Sequence, residues 1–83
     1  MRYFLDTEFN GCGGALISLA LVPEDPRAAP FYAAVECTQP TEWVAAHVLP
    51  VLGIAPVSRE VLGAALARYL GDDPDPLLVA DWP

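Results

Sequence analysis

Lysine is absent from this 83-residue chain, and basic residues of any kind are scarce. Four arginines stand against eleven acidic residues, so the formal net charge is −7. Because Arg2, Arg27, Arg59 and Arg68 are scattered, they form no basic stripe with interleaved aromatic residues. This excludes a protein that attracts nucleic acid through a broad positive field. A site whose phosphate contacts run through bound cations is not excluded.

Cysteine, histidine and long apolar runs are also scarce. Cys12 and Cys37 are too few and too far apart for a zinc site, so we expect structural thiols. His47 is the only histidine, and we interpret it as a surface or packing residue. No run approaches the roughly 20 apolar residues of a membrane helix, and no signal peptide opens the chain. We therefore expect a cytoplasmic protein without a membrane partner.

The chain is rich in apolar residues, which make up 54% of it against 18% charged residues. This composition predicts one folded domain over residues 1–83. A domain of this size buries a modest core and usually needs further support. Residues 77–83 have the pattern of a buried strand that runs to the last residue. We therefore expect a truncated domain or an obligate assembly such as a homo-oligomer.

Three apolar runs predict three strands in succession. The first run, residues 3–5, leads into Asp6, Thr7 and Glu8. A Gly-rich segment at 10–14 separates it from the second run at 15–22, which predicts a hairpin whose turn contains positive-φ positions. A turn-rich connector then leads to a third strand at 31–36. The order predicts an antiparallel meander.

Two helices and a last strand complete the predicted elements. Thr41 is a predicted N-cap for a helix over residues 42–49, which Pro50 limits. Ser58 is the predicted N-cap of a second helix, in which apolar residues recur at helical spacing before Gly71. The last strand is apolar throughout, which predicts a central strand parallel to an earlier one.

The Asp6-Thr7-Glu8 triplet is the clearest candidate for chemistry. Residues two apart on a strand share a face and lie roughly 7 Å apart, so Asp6 and Glu8 converge. Two ionised carboxylates repel each other unless a cation lies between them or one keeps its proton. Oxygen-rich pairs suit Mg²⁺ or Mn²⁺. Acidic residues also commonly mark solvated strand ends, so a purely structural interpretation stays open.

Residues 3–9, 16–22 and 31–33 together resemble the opening of the DEDD-superfamily 3′–5′ exonucleases. The likeness is greatest to a small bacterial branch related to ribonuclease T and oligoribonuclease. It implies an α/β fold of the ribonuclease H-like type, here incomplete. The expected elements are a three-stranded antiparallel meander, helices and then a parallel strand.

The resemblance also implies a two-metal phosphodiesterase. Asp6 and Glu8 would be catalytic residues that hold two Mg²⁺ or Mn²⁺ ions about 4 Å apart. Thr7, Phe9 and Asn10 would lie at the substrate, although strand alternation turns the Thr7 side chain to the opposite face to pack. The expected ligand is the 3′ end of single-stranded RNA or DNA, or a nucleotide. Related exonucleases are often dimers, which again implies a homo-oligomer.

The chain departs from the family pattern in its remaining acidic residues. The family has an aspartate on a helix after the fourth strand, and later a histidine followed by an aspartate. Asp81 lies near the place of the first of these. With two of four carboxylates and no general base, we expect the isolated chain to be a very poor catalyst. The alternatives are an inactive nuclease fold that binds proteins or dimerises through its sheet edge, and an acidic nucleic-acid mimic.

Overall fold

The computed structural model describes residues 1–10 and 14–80, which form a mixed four-stranded sheet with two α-helices. The elements in chain order are β1 (Arg2–Phe9), β2 (Leu16–Pro23), β3 (Phe31–Ala34), α1 (Glu42–His47), a 3₁₀ helix (Leu49–Val51), α2 (Arg59–Leu70) and β4 (Leu77–Ala80). The predicted α/β class and order of elements are confirmed. The predicted turn residues 11–13 and Asp81 lie outside the described residues.

The strand order in the sheet is β3-β2-β1-β4. β2 is antiparallel to both β1 and β3, which confirms the meander, and β4 is parallel to β1. The prediction of a central, buried last strand was wrong for β4, because it lies at the edge of the described sheet with all four residues exposed. Among the described helices and strands, β4 contacts only β1. Apolar composition indicates what a strand is suited to bury, not what covers it.

A β-bulge interrupts the pairing of β1 with β2. Glu8 pairs with Ser18, whereas Phe9 pairs with Leu16, so Ile17 is the extra residue. A bulge breaks the strict alternation of side chains between the two faces. Ile17 is fully buried and packs under α1, while Leu16 packs in the core on the other face. Because of the bulge, the successive apolar residues Leu16 and Ile17 pack in the cores on opposite faces of the sheet.

Each face of the sheet has its own core cluster. The cluster on the α1 face contains Ile17, Val44 and Val48. The cluster on the α2 face contains Ala33, Val35 and Leu62. Aromatic contacts extend the second core, since the ring of Tyr69 from α2 lies 5.8 Å from that of Tyr3 and 5.2 Å from that of Phe31. The sheet is thus covered by α1 on one side and by α2 on the other.

Both predicted N-caps are confirmed. The Thr41 hydroxyl accepts from the backbone N–H of Val44, and the Ser58 hydroxyl accepts from that of Val61, each at 3.2 Å. The first helix is shorter than predicted, because α1 ends at His47 and residues 49–51 continue as a 3₁₀ helix. Proline lacks the N–H that a longer α-helix needs at position 50.

The third strand is also shorter than predicted. β3 ends at Ala34 rather than at residue 36. Val35 still donates its N–H to the carbonyl of Ile17 at 2.7 Å, but its bridge with Val57 is an isolated parallel one. This bridge holds the segment before α2 against the end of β3.

Candidate functional site

Asp6 and Glu8 lie on the α1 face of the sheet and border a cavity of about 320 Å³. Both are exposed, and Asp6 pairs with Ala20 while Glu8 pairs with Ser18 on the neighbouring strand. The described lining residues are Asp6, Thr7, Glu8, Ser18, Ala20, Tyr32, Trp43, His47, Val48, Val51 and Leu52. The structure thus brings together the two predicted carboxylates and gives them a common concave space.

Small residues on β2 form the floor of this cavity. Ser18 and Ala20 are the strand neighbours of the two carboxylates, and Ser18 is buried. The other members of this strand are mostly leucine, isoleucine and valine. A large side chain at either position would project into the space beside the carboxylates, because both positions share their face. The cavity therefore depends on these two small side chains.

Two aromatic side chains from α1 also line the cavity. Trp43 and His47 are four residues apart, so they lie on one side of the helix. Their ring centroids are 5.1 Å apart with an interplanar angle of 40°. Trp43 keeps 64% of its surface exposed, which is unusual for the largest apolar side chain. The cavity thus has two carboxylates on one side and two aromatic rings on the other.

Tyr32 on β3 closes one end of the cavity. Its hydroxyl donates a hydrogen bond to the carbonyl of Leu52 at 3.0 Å. This bond fixes the segment after the 3₁₀ helix relative to the sheet. Because Val51 and Leu52 also line the cavity, this end is mostly apolar.

Asn10 joins the end of β1 to the start of α1. Its Nδ2 donates to the carbonyl of Gln39, and its Oδ1 accepts from the backbone N–H of Thr41, both at 2.8 Å. Thr41 is the N-cap of α1, so Asn10 positions the helix that bears the aromatic wall. The predicted contact between Asn10 and a nucleotide stays a prediction.

The other residues predicted at the substrate differ in placement. Thr7 borders the cavity and is half-buried, and its pairing with Leu19 belongs to the opposite face of the sheet. Phe9 follows the bulge, is 37% exposed, and is not among the described lining residues. His47 is exposed and stacks on Trp43, as expected for a surface or packing residue, but it also lines the cavity.

The donor set suits a hard cation held partly by water or phosphate. Within residues 1–10 and 14–80, no group of three or more histidine, cysteine or acidic side chains could hold a metal ion. Asp6 and Glu8 therefore offer two carboxylates without a third protein ligand of these types in that part of the chain. Mg²⁺ is commonly held by one or two carboxylates, with waters and substrate phosphates as its other ligands. The pair fits that mode of binding.

Sequence reasoning missed Ser18, Ala20, Trp43 and His47 as parts of this site. Two signals were available for them. Small residues alternate at positions 18 and 20 in a run of larger apolar residues, and two aromatic rings recur four residues apart in the first helix. Neither signal shows by itself that the two segments face each other across one cavity.

Comparison with known protein families and curated sequences found no relative of this chain. No protein-family model matches the chain, and no curated protein sequence matches it. In the described part of the chain, every helix is too short or too polar to cross a membrane.

Proposed function

We propose that this chain contributes the first two metal-binding carboxylates of a 3′–5′ exonuclease domain with a ribonuclease H-like fold. Its substrate would be the 3′ end of single-stranded RNA or DNA. The observation that carries the proposal is the shared cavity, which Asp6 and Glu8 line together with Trp43 and His47. Carboxylates that bind a cation and rings that stack on a base are the two kinds of contact a terminal nucleotide needs.

The sheet topology supports the same fold. The resemblance implies an antiparallel meander whose first strand also pairs with a later parallel strand. The observed order β3-β2-β1-β4, with β4 parallel to β1, agrees with this arrangement. The strand that bears Asp6 and Glu8 is then an inner strand, which pairs with β4 over residues 2–5 and with β2 over residues 3–9.

Each side of the cavity would have a separate task. Bound Mg²⁺ or Mn²⁺ would supply a hydroxide from water and stabilise the leaving 3′ oxygen. Asp6 and Glu8 would hold the cations by their carboxylate oxygens. Trp43 would stack on the terminal base, and the ring N–H of His47 could donate to a phosphate oxygen. Ser18 and Ala20 would leave room for the sugar between the two sides.

Binding is the activity that this chain is expected to retain in isolation. The resemblance implies four acidic ligands and a histidine base, of which Asp6 and Glu8 match two. We therefore propose weak binding of Mn²⁺ with very slow hydrolysis for the 83-residue chain. This makes metal-dependent stability, rather than turnover, the direct readout.

The first experiment measures thermal unfolding with EDTA and with millimolar Mn²⁺. A ligand that binds only the folded state stabilises it by about 1.4 kcal/mol at ten times its Kd. We expect Mn²⁺ to raise the Tm of the wild type but not that of an Asp6→Asn, Glu8→Gln double variant. Both substitutions preserve side-chain size, so the fold should persist.

The control for this experiment is a second double variant with the same change in net charge. Glu36 and Asp72 are exposed carboxylates outside the cavity. Glu36→Gln, Asp72→Asn should therefore keep the full response to Mn²⁺. An equal response in all three proteins would place the cation elsewhere and contradict the proposal.

The exposed edge strand favours a second candidate function, a protein-binding or dimerisation module. Leu77, Leu78 and Val79 are each exposed by 36% or more on β4. An open apolar edge strand is a template for pairing with another chain. Sedimentation velocity tests this candidate. Concentration-dependent association that persists in the Asp6→Asn, Glu8→Gln variant but is lost in Leu77→Lys would support it, and a monomer at all concentrations would contradict it.

A further inference from the structure

The α-amino group of Met1 is bound within the fold. Its nitrogen lies 2.9 Å from Oδ2 and 3.1 Å from Oδ1 of Asp73, and it donates to the carbonyl of Asp75 at 3.3 Å. These acceptors belong to the loop between α2 and β4. The start of β1 is therefore joined to a segment more than 70 residues later in the chain.

Asp73 accepts two further hydrogen bonds around this ion pair, which together form a cluster. The Tyr3 hydroxyl donates to its Oδ2 at 2.9 Å, and the backbone N–H of Asp75 donates to its Oδ1 at 3.0 Å. The Asp73 side chain is 10% exposed and that of Met1 is 38% exposed. In the two other ion pairs among the described residues, every side chain is at least 33% exposed. Screening by solvent is thus weakest for the Met1 pair.

This cluster lies where β4 begins to pair with β1. The backbone N–H of Leu77 donates to the carbonyl of Met1 at 3.0 Å, next to the first pair of the parallel ladder, Arg2 with Leu77. Since β4 contacts only β1 among the described helices and strands, few other contacts fix its position. The contacts of Met1 with the loop before β4 therefore help to fix β4 against β1.

We infer that the Met1 α-amino group is a modification-sensitive site, at which acylation by a formyl or acetyl group loosens the joint between β1 and β4. Acylation converts an ammonium group with three donors into a neutral amide with one N–H. It also adds a carbonyl oxygen next to the Asp73 carboxylate, where it repels rather than pairs.

The electrostatics of Asp73 agree with this geometry. The pKa of its carboxyl lies below the ordinary value, and the largest cause is the hydrogen bond from the Met1 ammonium. The backbone N–H of Asp75 and the Tyr3 hydroxyl lower it further. The ionised carboxylate is thus the form that the cluster binds.

The absence of lysine makes the inference directly testable, because the α-amine is the only primary amine of these 83 residues. N-hydroxysuccinimidyl acetate acetylates it near neutral pH. The nitrogen attacks the ester carbonyl, the new N–C bond forms, hydroxysuccinimide leaves and the proton passes to the buffer. Hydroxylamine then removes acetyl groups from tyrosine and cysteine. We expect the acetylated wild type to unfold about 5 °C below the unmodified protein.

The same treatment of two variants identifies the partner. Acetylation should leave the Tm of Asp73→Asn unchanged, since the charge of the partner is already gone. It should lower the Tm of Glu36→Gln, an exposed carboxylate away from the cluster, as much as that of the wild type. Equal Tm values for acetylated and unmodified wild type would overturn the inference, as would an equal fall in Asp73→Asn.

If Asp73→Asn does not fold, the rate of acetylation of the wild type provides a second test. An ammonium paired with Asp73 reacts more slowly with the acetylating reagent in the native protein than in the same protein unfolded in urea, because the pair must open before the nitrogen can attack. We expect a slower reaction in the native state after correction for the effect of urea on a short reference peptide. Equal corrected rates would show a free N-terminus and overturn the inference.

Discussion

Asn10 accepts a hydrogen bond from the backbone N–H of Thr41 at 2.8 Å, and Thr41 in turn caps α1. The strand that carries Asp6 and Glu8 therefore also holds the start of the helix that carries Trp43. The carboxylate side and the aromatic side of the cavity are connected through one amide side chain. Their relative position depends on that side chain as well as on the core beneath α1.

Substitution of Asn10 should loosen the cavity as well as the fold. Asn10→Ala removes two hydrogen bonds, each worth about 0.5–1.5 kcal/mol, so we expect a loss of about 1–3 kcal/mol in the free energy of unfolding in urea. Gln39→Ala is the matched control, because Gln39 contributes only its backbone carbonyl. Equal stability of Asn10→Ala and the wild type would show that α1 is held by its core contacts alone.

Two glycines should respond in opposite directions to alanine. A Cβ at Gly14 would overlap the carbonyl oxygen of Asn10, a contact that the backbone cannot relieve without moving. A Cβ at Gly63, inside α2, would meet nothing within 4 Å. We expect Gly14→Ala to destabilise the protein by more than about 2 kcal/mol and Gly63→Ala to stabilise it by about 0.5–1 kcal/mol.

Urea unfolding of both variants checks this pair. The test is internal, because the same substitution is made twice in one protein. If Gly14→Ala were as stable as Gly63→Ala, the close approach of Gly14 to Asn10 would not exist in solution. If both variants were destabilised, the exposed middle of α2 would be more crowded than the structure indicates.

Local patterns predicted the elements of this fold well. Thr41 and Ser58 were identifiable as caps because capping depends on residues within three positions. The exposure of β4 was not predictable, because an apolar strand has the same sequence whether or not it is covered. The bulge at Ile17 was not predictable either, since Leu16 and Ile17 are both large apolar residues and neither shows by itself which face it occupies.

The candidate site was predictable only on its β1 side. Alternation along a strand places Asp6 and Glu8 on one face without any knowledge of the rest of the fold. The aromatic side depends on how α1 crosses the sheet, which the bulge, the Asn10 bonds and the core under Val44 decide together. Such long-range contacts leave no local signal in the sequence.

Stability should fall in acid because of Asp73. Its pKa is lowered in the folded protein, so it binds fewer protons there than in the unfolded chain. Its contribution is therefore fully present above the unfolded pKa of about 3.9 and is lost as the pH falls through the lower, folded value. Urea unfolding between pH 6 and pH 2.5 should show a smaller decline for Asp73→Asn than for the wild type.

The matching control for this decline is Asp72→Asn, the exposed neighbour of Asp73. Its stability should follow the wild-type curve over the same pH range. An identical decline for Asp73→Asn and the wild type would mean that the acid sensitivity comes from other carboxylates. The pair Asp25 and Arg27 is one such source, because hydrogen bonds from Arg27 lower the pKa of Asp25.

We expect a second loss of stability at high pH, caused by ionisation of the Tyr3 hydroxyl. Its pKa is raised, mainly by the hydrogen bond to Asp73, so the folded state holds this proton more tightly than the unfolded state does. The contribution is present below pH 10.0 and is lost as the pH rises through the folded pKa. Tyr3→Phe should be less stable than the wild type at pH 8 and should approach it at high pH. A constant difference would indicate that the hydroxyl acts only through packing.

Trp43 should matter for ligand binding far more than for stability. Because the side chain is 64% exposed, Trp43→Ala should change the free energy of unfolding by no more than about 0.5 kcal/mol. Loss of base stacking costs about 1–3 kcal/mol, which corresponds to about 5- to 150-fold weaker binding. Calorimetric titration with a nucleoside 5′-monophosphate in the presence of Mn²⁺ measures this difference. Trp43→Phe keeps an aromatic face and should fall between the two proteins.

Val51 supplies the control that separates stacking from simple contact area. It also lines the cavity and is 76% exposed, but it has no aromatic face. Val51→Ala should therefore bind the nucleotide almost as well as the wild type. If both alanine variants lost the same affinity, the wall would act as apolar surface rather than as a stacking platform. If neither variant lost affinity, the nucleotide would not bind in the cavity beside Asp6 and Glu8. That result would contradict the proposed contact between Trp43 and the substrate.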